Sequence, residues 1–173
     1  MWCLGVSGVG HGPTEFLHYR CSIVIAAAAA DVFAVVGDLG GTPRWAGSGH
    51  VQSIVKVTDG PIGEGTRYRS SEKITMPYHA ETEITVYRPN AAIEWVSKPA
   101  GERVPFHHWA FYLEPEAGGT RLVHTVRAMR APGFMGWVQR LGFLFTRPRS
   151  TIAPGMDRTL TLVRALVDDR RPE

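Results

Sequence analysis

Val104–Met129 reads VPFHHWAFYLEPEAGGTRLVHTVRAM, two runs of two-residue alternation joined by turn chemistry. In the first, Val104 to Leu113, alternation places His107, Trp109, Phe111 and Leu113 on one face. Glu114-Pro-Glu-Ala-Gly-Gly119 then turns the chain, and Thr120 to Met129 sends Arg121 and Arg127 outward and Leu122, His124 and Val126 inward. A side-chain period of two with one apolar face, closed by Pro and Gly-Gly, predicts an antiparallel hairpin with one wet face.

The same texture extends upstream through Val51–Thr58, Thr66–Thr75, His79–Arg88 and Ala91–Ser97, giving six such runs with the two above. They are separated by Asp59-Gly-Pro61 with Gly63-Glu-Gly65, by Met76-Pro77, by Pro89-Asn90 and by Lys98-Pro-Ala-Gly101. Within Thr66–Thr75, residues Thr66, Tyr68, Ser70, Glu72 and Ile74 share a face, while Arg67, Arg69, Ser71 and Lys73 take the side expected to meet water. Thr82, Ile84 and Val86 oppose Glu81 and Glu83, and Ile93 shares a side with Trp95. A β-bulge near Pro77 or Pro105 would reverse the faces beyond it within that strand.

Ahead of these runs, Tyr19–Ile25 reads as a strand and Ala26–Val36 as a short helix, with Val32, Phe33 and Val36 at helical spacing. Asp38-Leu-Gly-Gly-Thr-Pro43 breaks that helix, and Arg44-Trp45-Ala46 forms another short turn. After the last strand, Trp137, Val138, Leu141 and Leu144 recur at helical spacing, and Ile152, Met156, Leu160, Val163 and Val167 repeat the pattern. Pro154 either kinks this helix or opens its final segment as a first-turn residue.

The chain has 173 residues, 44% hydrophobic and 20% charged, which suits one domain with a sizeable core and argues against wholesale disorder. A net charge of +3 is no polyanion-binding signature, so no nucleic-acid partner is expected. Cys3 and Cys21 lack CxxC or His/Cys spacing, which indicates neither a disulfide scaffold nor a zinc module and fits a reducing, cytoplasmic setting. The Gly-rich start is not GxGxxG and is read as a flexible tail over residues 1–18, or as a misassigned translation start, ahead of a single domain at 19–170. No signal peptide is expected, and the longest apolar run, Ile23–Ala30, is far short of the roughly 20 residues of a membrane span.

The order strand, two short helices, six strands and long C-terminal helix resembles the SRPBCC superfamily, the START and birch-pollen-allergen or helix-grip proteins. The resemblance is carried by Ile23-Val-Ile-Ala-Ala-Ala-Ala-Ala-Asp-Val-Phe33 followed by Asp38-Leu-Gly-Gly-Thr-Pro-Arg-Trp45, by Gly63-Glu-Gly-Thr-Arg-Tyr68, and by Gly118-Gly-Thr-Arg-Leu122. It covers roughly Tyr19 to Asp169, and the polyketide cyclase/dehydrase and lipid-carrier members are closest in length. The resemblance implies an α+β fold, a curved seven-stranded antiparallel sheet wrapped around a long C-terminal helix. The resemblance also implies an apolar cavity between them, and it carries no universal reaction.

Candidate site residues are those on inward faces and at the helix break. Tyr68 and Glu72 point the same way, so Glu72 is either a cavity acid or base or a carboxylate at the wet rim or beside an arginine. His107 and His124 fall on strands that the Gly-Gly hairpin makes neighbours, where they either orient a polar ligand or shuttle a proton, or simply hydrogen-bond within the structure. Trp45, Trp95, Trp109, Phe111 and Trp137 supply apolar area for a ring system or acyl chain, with core packing expected for Trp95 and Phe111. No metal or cofactor is expected. Phe134–Phe145, flanked by Arg140, Arg147 and Arg149, is a buried helix, a cavity lid or a transient membrane contact within 134–149.

GxSxG, Walker, HExxH and CxxC motifs are all missing, which argues against familiar nucleophilic and phosphoryl-transfer enzymes. The leading expectation is a monomeric or dimeric binding module for a lipid, isoprenoid or aromatic polyketide. The alternative is a cyclase or dehydrase using Glu72, His107 and His124. A ribosome- or partner-binding protein is the third reading.

Overall fold

The computed structural model describes residues 15–74, 76–129 and 148–170. Along the chain run β1 (Glu15–Ile25), α1 (Ala29–Val36), a 3-10 turn (Leu39–Gly41), α2 (Thr42–Trp45), β2 (Val51–Lys56), β3 (Arg67–Lys73) and β4 (Pro77–Arg88). These are followed by β5 (Ala92–Pro99), β6 (His107–Glu116), β7 (Gly119–Met129) and α3 (Pro148–Asp168). The strands form one seven-stranded antiparallel sheet in the order β1-β7-β6-β5-β4-β3-β2. This is the expected helix-grip architecture. Because β1 and β2 occupy opposite edges, the segment carrying α1 and α2 must cross the whole sheet.

The helices gather on one face. Helix α1 buries Val32, Phe33, Val35 and Val36, and α3 buries Met156, Thr159, Leu160, Val163 and Val167 at spacings of three and four, a stripe that faces the core. Helix α3 packs on α1, α2, β1 and β7. Pro154 lies inside α3 and does not open it.

Three local expectations are corrected. Strand β1 starts at Glu15, ahead of Tyr19, and Glu15, Leu17 and His18 pair with Met129, Ala128 and Arg127, so part of the supposed tail belongs to the sheet. Strand β6 starts at His107 and not at Val104, since Pro105 has no N–H for the ladder. Strand β4 is bulged between Ile84 and Val86, not at either proline. That extra residue reverses the alternation, so Tyr87 and not Val86 lies opposite Ile93, and its ring meets Phe33 edge-on at 5.4 Å.

The β6–β7 turn ties the sheet to the start of α1. Gly118 has φ +82, and a Cβ on Gly119 would stand 2.1 Å from the Ile25 carbonyl oxygen. Next to it the buried Thr120 hydroxyl donates to the Ala27 carbonyl at 2.8 Å. Trp137 and the Phe134–Phe145 segment lie outside the described residues.

Candidate functional site

Strand register lines up the inner-face side chains in rows. Tyr68, Thr82, Ser97 and His107 are successive cross-strand partners from β3 to β6. Ile84, Trp95, Trp109, Val126 and Tyr19 form the next row, from β4 to β1. Tyr87, Ile93, Phe111, His124 and Cys21 form the third. Polar groups therefore concentrate toward one end of the face, and apolar rings fill its middle.

At the polar end Tyr68, Ser70 and Thr82 are buried, while Glu72, Tyr78, Ser97 and His107 are half-buried. Glu72 sits opposite Tyr78, whose phenol donates to one carboxylate oxygen at 2.5 Å, while Ser70 Oγ donates to the other at 2.8 Å. Burial, and then the bond to Glu72, raises the Tyr78 pKa, which keeps its proton in place. Burial pushes the His107 imidazole down to about 4, against the opposing pull of the Glu72 carboxylate and with a small further push from His108. Trp109 Nε1 donates to Ser97 Oγ at 3.3 Å. Ile74, Met76 and Val104, on the β3–β4 and β5–β6 connections at this same end, are exposed, Met76 to 75%.

The middle of the face is closed by aromatic rings. Trp95 stacks on Trp109 at 6.5 Å, and Trp109 and Phe111 both stack on His124, at 5.7 and 4.4 Å. Trp45, from α2, meets Phe111 at 5.5 Å and Trp95 at 6.4 Å, both edge-on. Such contacts add roughly 0.5–1.5 kcal/mol each beyond the buried area. His124 is buried, which pushes its imidazole down to about 3. Among the described residues, neither ring nitrogen of His124 has a hydrogen-bond partner, nor do Tyr19 Oη and Trp45 Nε1.

The candidates thus separate into two groups. Tyr68 and Glu72 share a face as expected, but the buried Tyr68 phenol donates to Asp38 Oδ1 at 3.3 Å, and burial followed by that carboxylate raises its pKa. His107 and His124 are not cross-strand partners, since His107 pairs with Ala128 and His124 with Phe111, with Trp109 lying between the two imidazoles. Trp95 and Phe111 are buried core residues, and so is Trp45. Tyr78 and Ser97 were missed. Continuing the Ile93–Trp95 alternation by one step reaches Ser97, whereas Tyr78 is hidden by a strand start read two residues late, at His79.

Among the described residues, no three His, Cys, Asp or Glu side chains are placed to share a metal ion, and no helix is long and apolar enough to cross a membrane. Two clefts lie elsewhere: one of about 450 Å³ at the β1–α1 corner, lined by Ala26–Ala29, and one of about 480 Å³ bordered by Arg67, Arg69, Glu81, Glu83 and Lys98 on the charged outer face.

Residues 17–161 match the family of polyketide cyclase / dehydrase and lipid transport proteins. An uncharacterized protein of Mycobacterium tuberculosis, Rv0088, is 32% identical over 94 residues, 54% of this chain and 39% of that protein, so the chain spans about two fifths of this relative's length. Among solved structures, the Zhui aromatase/cyclase from Streptomyces sp. R1128 is similar with TM-score 0.62 at 15% identity, over 88% of this chain and 94% of that one. The di-domain ARO/CYC StfQ from the steffimycin biosynthetic pathway gives TM-score 0.67 at 13% identity, over 88% of this chain and 51% of that one. At these identities the structural likeness speaks to fold. With the family match along residues 17–161 and the seven-stranded sheet under a long C-terminal helix, the chain belongs to the polyketide cyclase/dehydrase and lipid-transport family of the SRPBCC superfamily, a fold with a general capacity to bind hydrophobic small molecules.

Proposed function

We propose that the inner face holds a lipid, isoprenoid or aromatic polyketide without forming a covalent bond to it. The observation that carries this reading is the aromatic wall of Trp95, Trp109, Phe111 and His124, closed by Trp45 below and only half-buried at Trp109 and His107 above. A wall of rings offers large apolar area at low side-chain entropy cost, and the half-buried end gives a ligand a way in. The exposed Ile74, Met76 and Val104 beside that end suit an apolar molecule that is handed over from a membrane or another carrier.

Native mass spectrometry of protein purified without detergent, followed by denaturing extraction, tests this reading. A bound apolar species is expected, and Trp109→Ala is expected to weaken binding of the neutral dye N-phenyl-1-naphthylamine by about tenfold, or about 1.4 kcal/mol. A clean apo mass together with no dye binding overturns it.

A second reading, cyclase or dehydrase chemistry, is favoured by one arrangement: a half-buried carboxylate positioned by two hydroxyls, with an imidazole within its electrostatic reach. Glu72 would take the α-proton of a poly-carbonyl chain and His107 would handle the oxygen. Deuterium exchange at the α-carbon of 1-phenyl-1,3-butanedione checks this, with Glu72→Gln expected to slow the catalysed exchange by about a hundredfold. Equal exchange by both proteins counts against enzymatic use of Glu72.

A further inference from the structure

The cleft of about 480 Å³ on the outer face of the sheet is bordered by Arg67, Arg69, Lys98 and Arg103 against Glu81 and Glu83, an excess of two positive charges. Strand register sets out most of these side chains. Arg69, Glu81 and Lys98 are successive cross-strand partners on β3, β4 and β5, and Arg67, Glu83 and Val96 form the next row. Both carboxylates are already taken. Glu81 lies between Arg69 and Lys98 in its row and pairs with Lys98, Oε2 to Nζ at 3.2 Å, while Glu83 Oε2 accepts from Arg67 Nε at 2.9 Å. Arg103 reaches the cleft from the β5–β6 connection, which is held down by Lys98 Nζ donating to the Glu102 carbonyl. Among the described residues, the guanidinium groups of Arg69 and Arg103 make no ion pair and no hydrogen bond.

Two unpaired guanidinium groups on one cleft repel each other, and an anion held between them removes that repulsion. Each presents a planar fork of N–H donors that matches two oxygens of a phosphate. A phosphate monoester carries about −1.5 to −2 charge near neutral pH, which balances the excess on the cleft, whereas a carboxylate balances half of it. The cleft is larger than a bare phosphate needs and falls within the roughly 300–1,000 Å³ of small-molecule sites. Its remaining border includes the exposed Val57 and the half-buried Val96 and Pro105, apolar surface for the organic part of such a molecule.

We propose that the outer-face cleft binds a phosphate monoester carried on an apolar body, with Arg69 and Arg103 taking the phosphate oxygens and Val57, Val96 and Pro105 lining the apolar part. This site lies on the opposite side of the sheet from the aromatic wall and does not depend on what that wall holds.

Equilibrium dialysis of the full chain at fixed ionic strength against 1-naphthyl phosphate, 1-naphthyl sulfate and inorganic phosphate tests it. The first is expected to bind about tenfold more tightly than either of the others. Arg69→Gln and Arg103→Gln are each expected to weaken it by about tenfold while leaving N-phenyl-1-naphthylamine binding, the readout of the inner face, unchanged. Arg88→Gln removes the same charge from an exposed position outside the cleft and should have no effect. Unchanged 1-naphthyl phosphate binding in both cleft variants, an equal loss in Arg88→Gln, or a preference for the sulfate or for inorganic phosphate overturns the proposal. Flotation with phosphatidylcholine vesicles containing phosphatidate distinguishes a lipid headgroup from a soluble monoester as the source. Co-flotation that Arg69→Gln abolishes supports the headgroup, and 1-naphthyl phosphate binding without co-flotation supports the soluble compound.

Discussion

Gly47→Ala is expected to destabilise the protein by about 3 kcal/mol, at the upper end of what overpacking usually costs. Gly47 follows α2 and lies flat against α3, where an added Cβ would stand 2.2 Å from the Gly155 carbonyl oxygen and 2.5 Å from the Thr159 amide nitrogen. Both are helix backbone atoms and cannot swing aside as the tip of a side chain does. Relief requires α3 to move off the loop, which would also break the 2.8 Å bond from the Gly47 N–H to the buried Thr159 Oγ1. Gly155→Ala provides the contrast, since its Cβ would meet only Ser48 atoms at 3.6–3.9 Å, ordinary contact. Alanine is also the better helix former, so that variant should be neutral or gain up to about 1 kcal/mol. Guanidinium unfolding of the two variants checks the pair, and equal losses would mean that the crossing is not held by close approach at Gly47.

The second expectation concerns acid. With its imidazole pushed down to about 3 in the fold, His124 stays neutral in the native state over a range where the unfolded chain, at about 6.5, is protonated. Its stabilising contribution is therefore complete above about pH 6.5 and is lost progressively as pH falls toward the folded value, by about 1.4 kcal/mol per pH unit in between. His107, pushed down to about 4, adds to the slope with the same sign. His124→Phe removes one of these two terms. Denaturant titrations between about pH 4 and pH 7 should show the variant less pH-dependent by about 1.4 kcal/mol per unit, the value of one proton. An unchanged slope would mean that His124 finds a partner for its charged form.

Much of the fold was legible because period-two alternation survives in single strands. Arg67, Arg69 and Lys73 against Tyr68, Ser70 and Glu72 can be read without knowing any partner strand, and the burial pattern of β3 follows that reading. The bulge in β4 was not legible, since nothing in Ile84-Thr-Val86 distinguishes a residue that slips out of register from one that does not. The candidate site was read less completely. Alternation says which side of the sheet a residue faces but nothing about its position along the neighbouring strand. That is why His107 and His124 could be placed on neighbouring strands, as they are, while the ring of Trp109 between them could not be foreseen.

The sequence was sufficient for the element order, the seven strands and the aromatic character of their inner faces, because these depend on local spacing and on the chemistry of single side chains, while their joining into one sheet was what the family resemblance implied. Tertiary packing settled which polar atoms are satisfied. Glu72 received its hydroxyls from Ser70 and Tyr78, and Tyr68 was taken up by Asp38, while Tyr19, Trp45 and His124 were left without partners among the described residues. Hydrogen bonding depends on where several elements meet to within a few tenths of an ångström, and no spacing along one strand encodes that meeting.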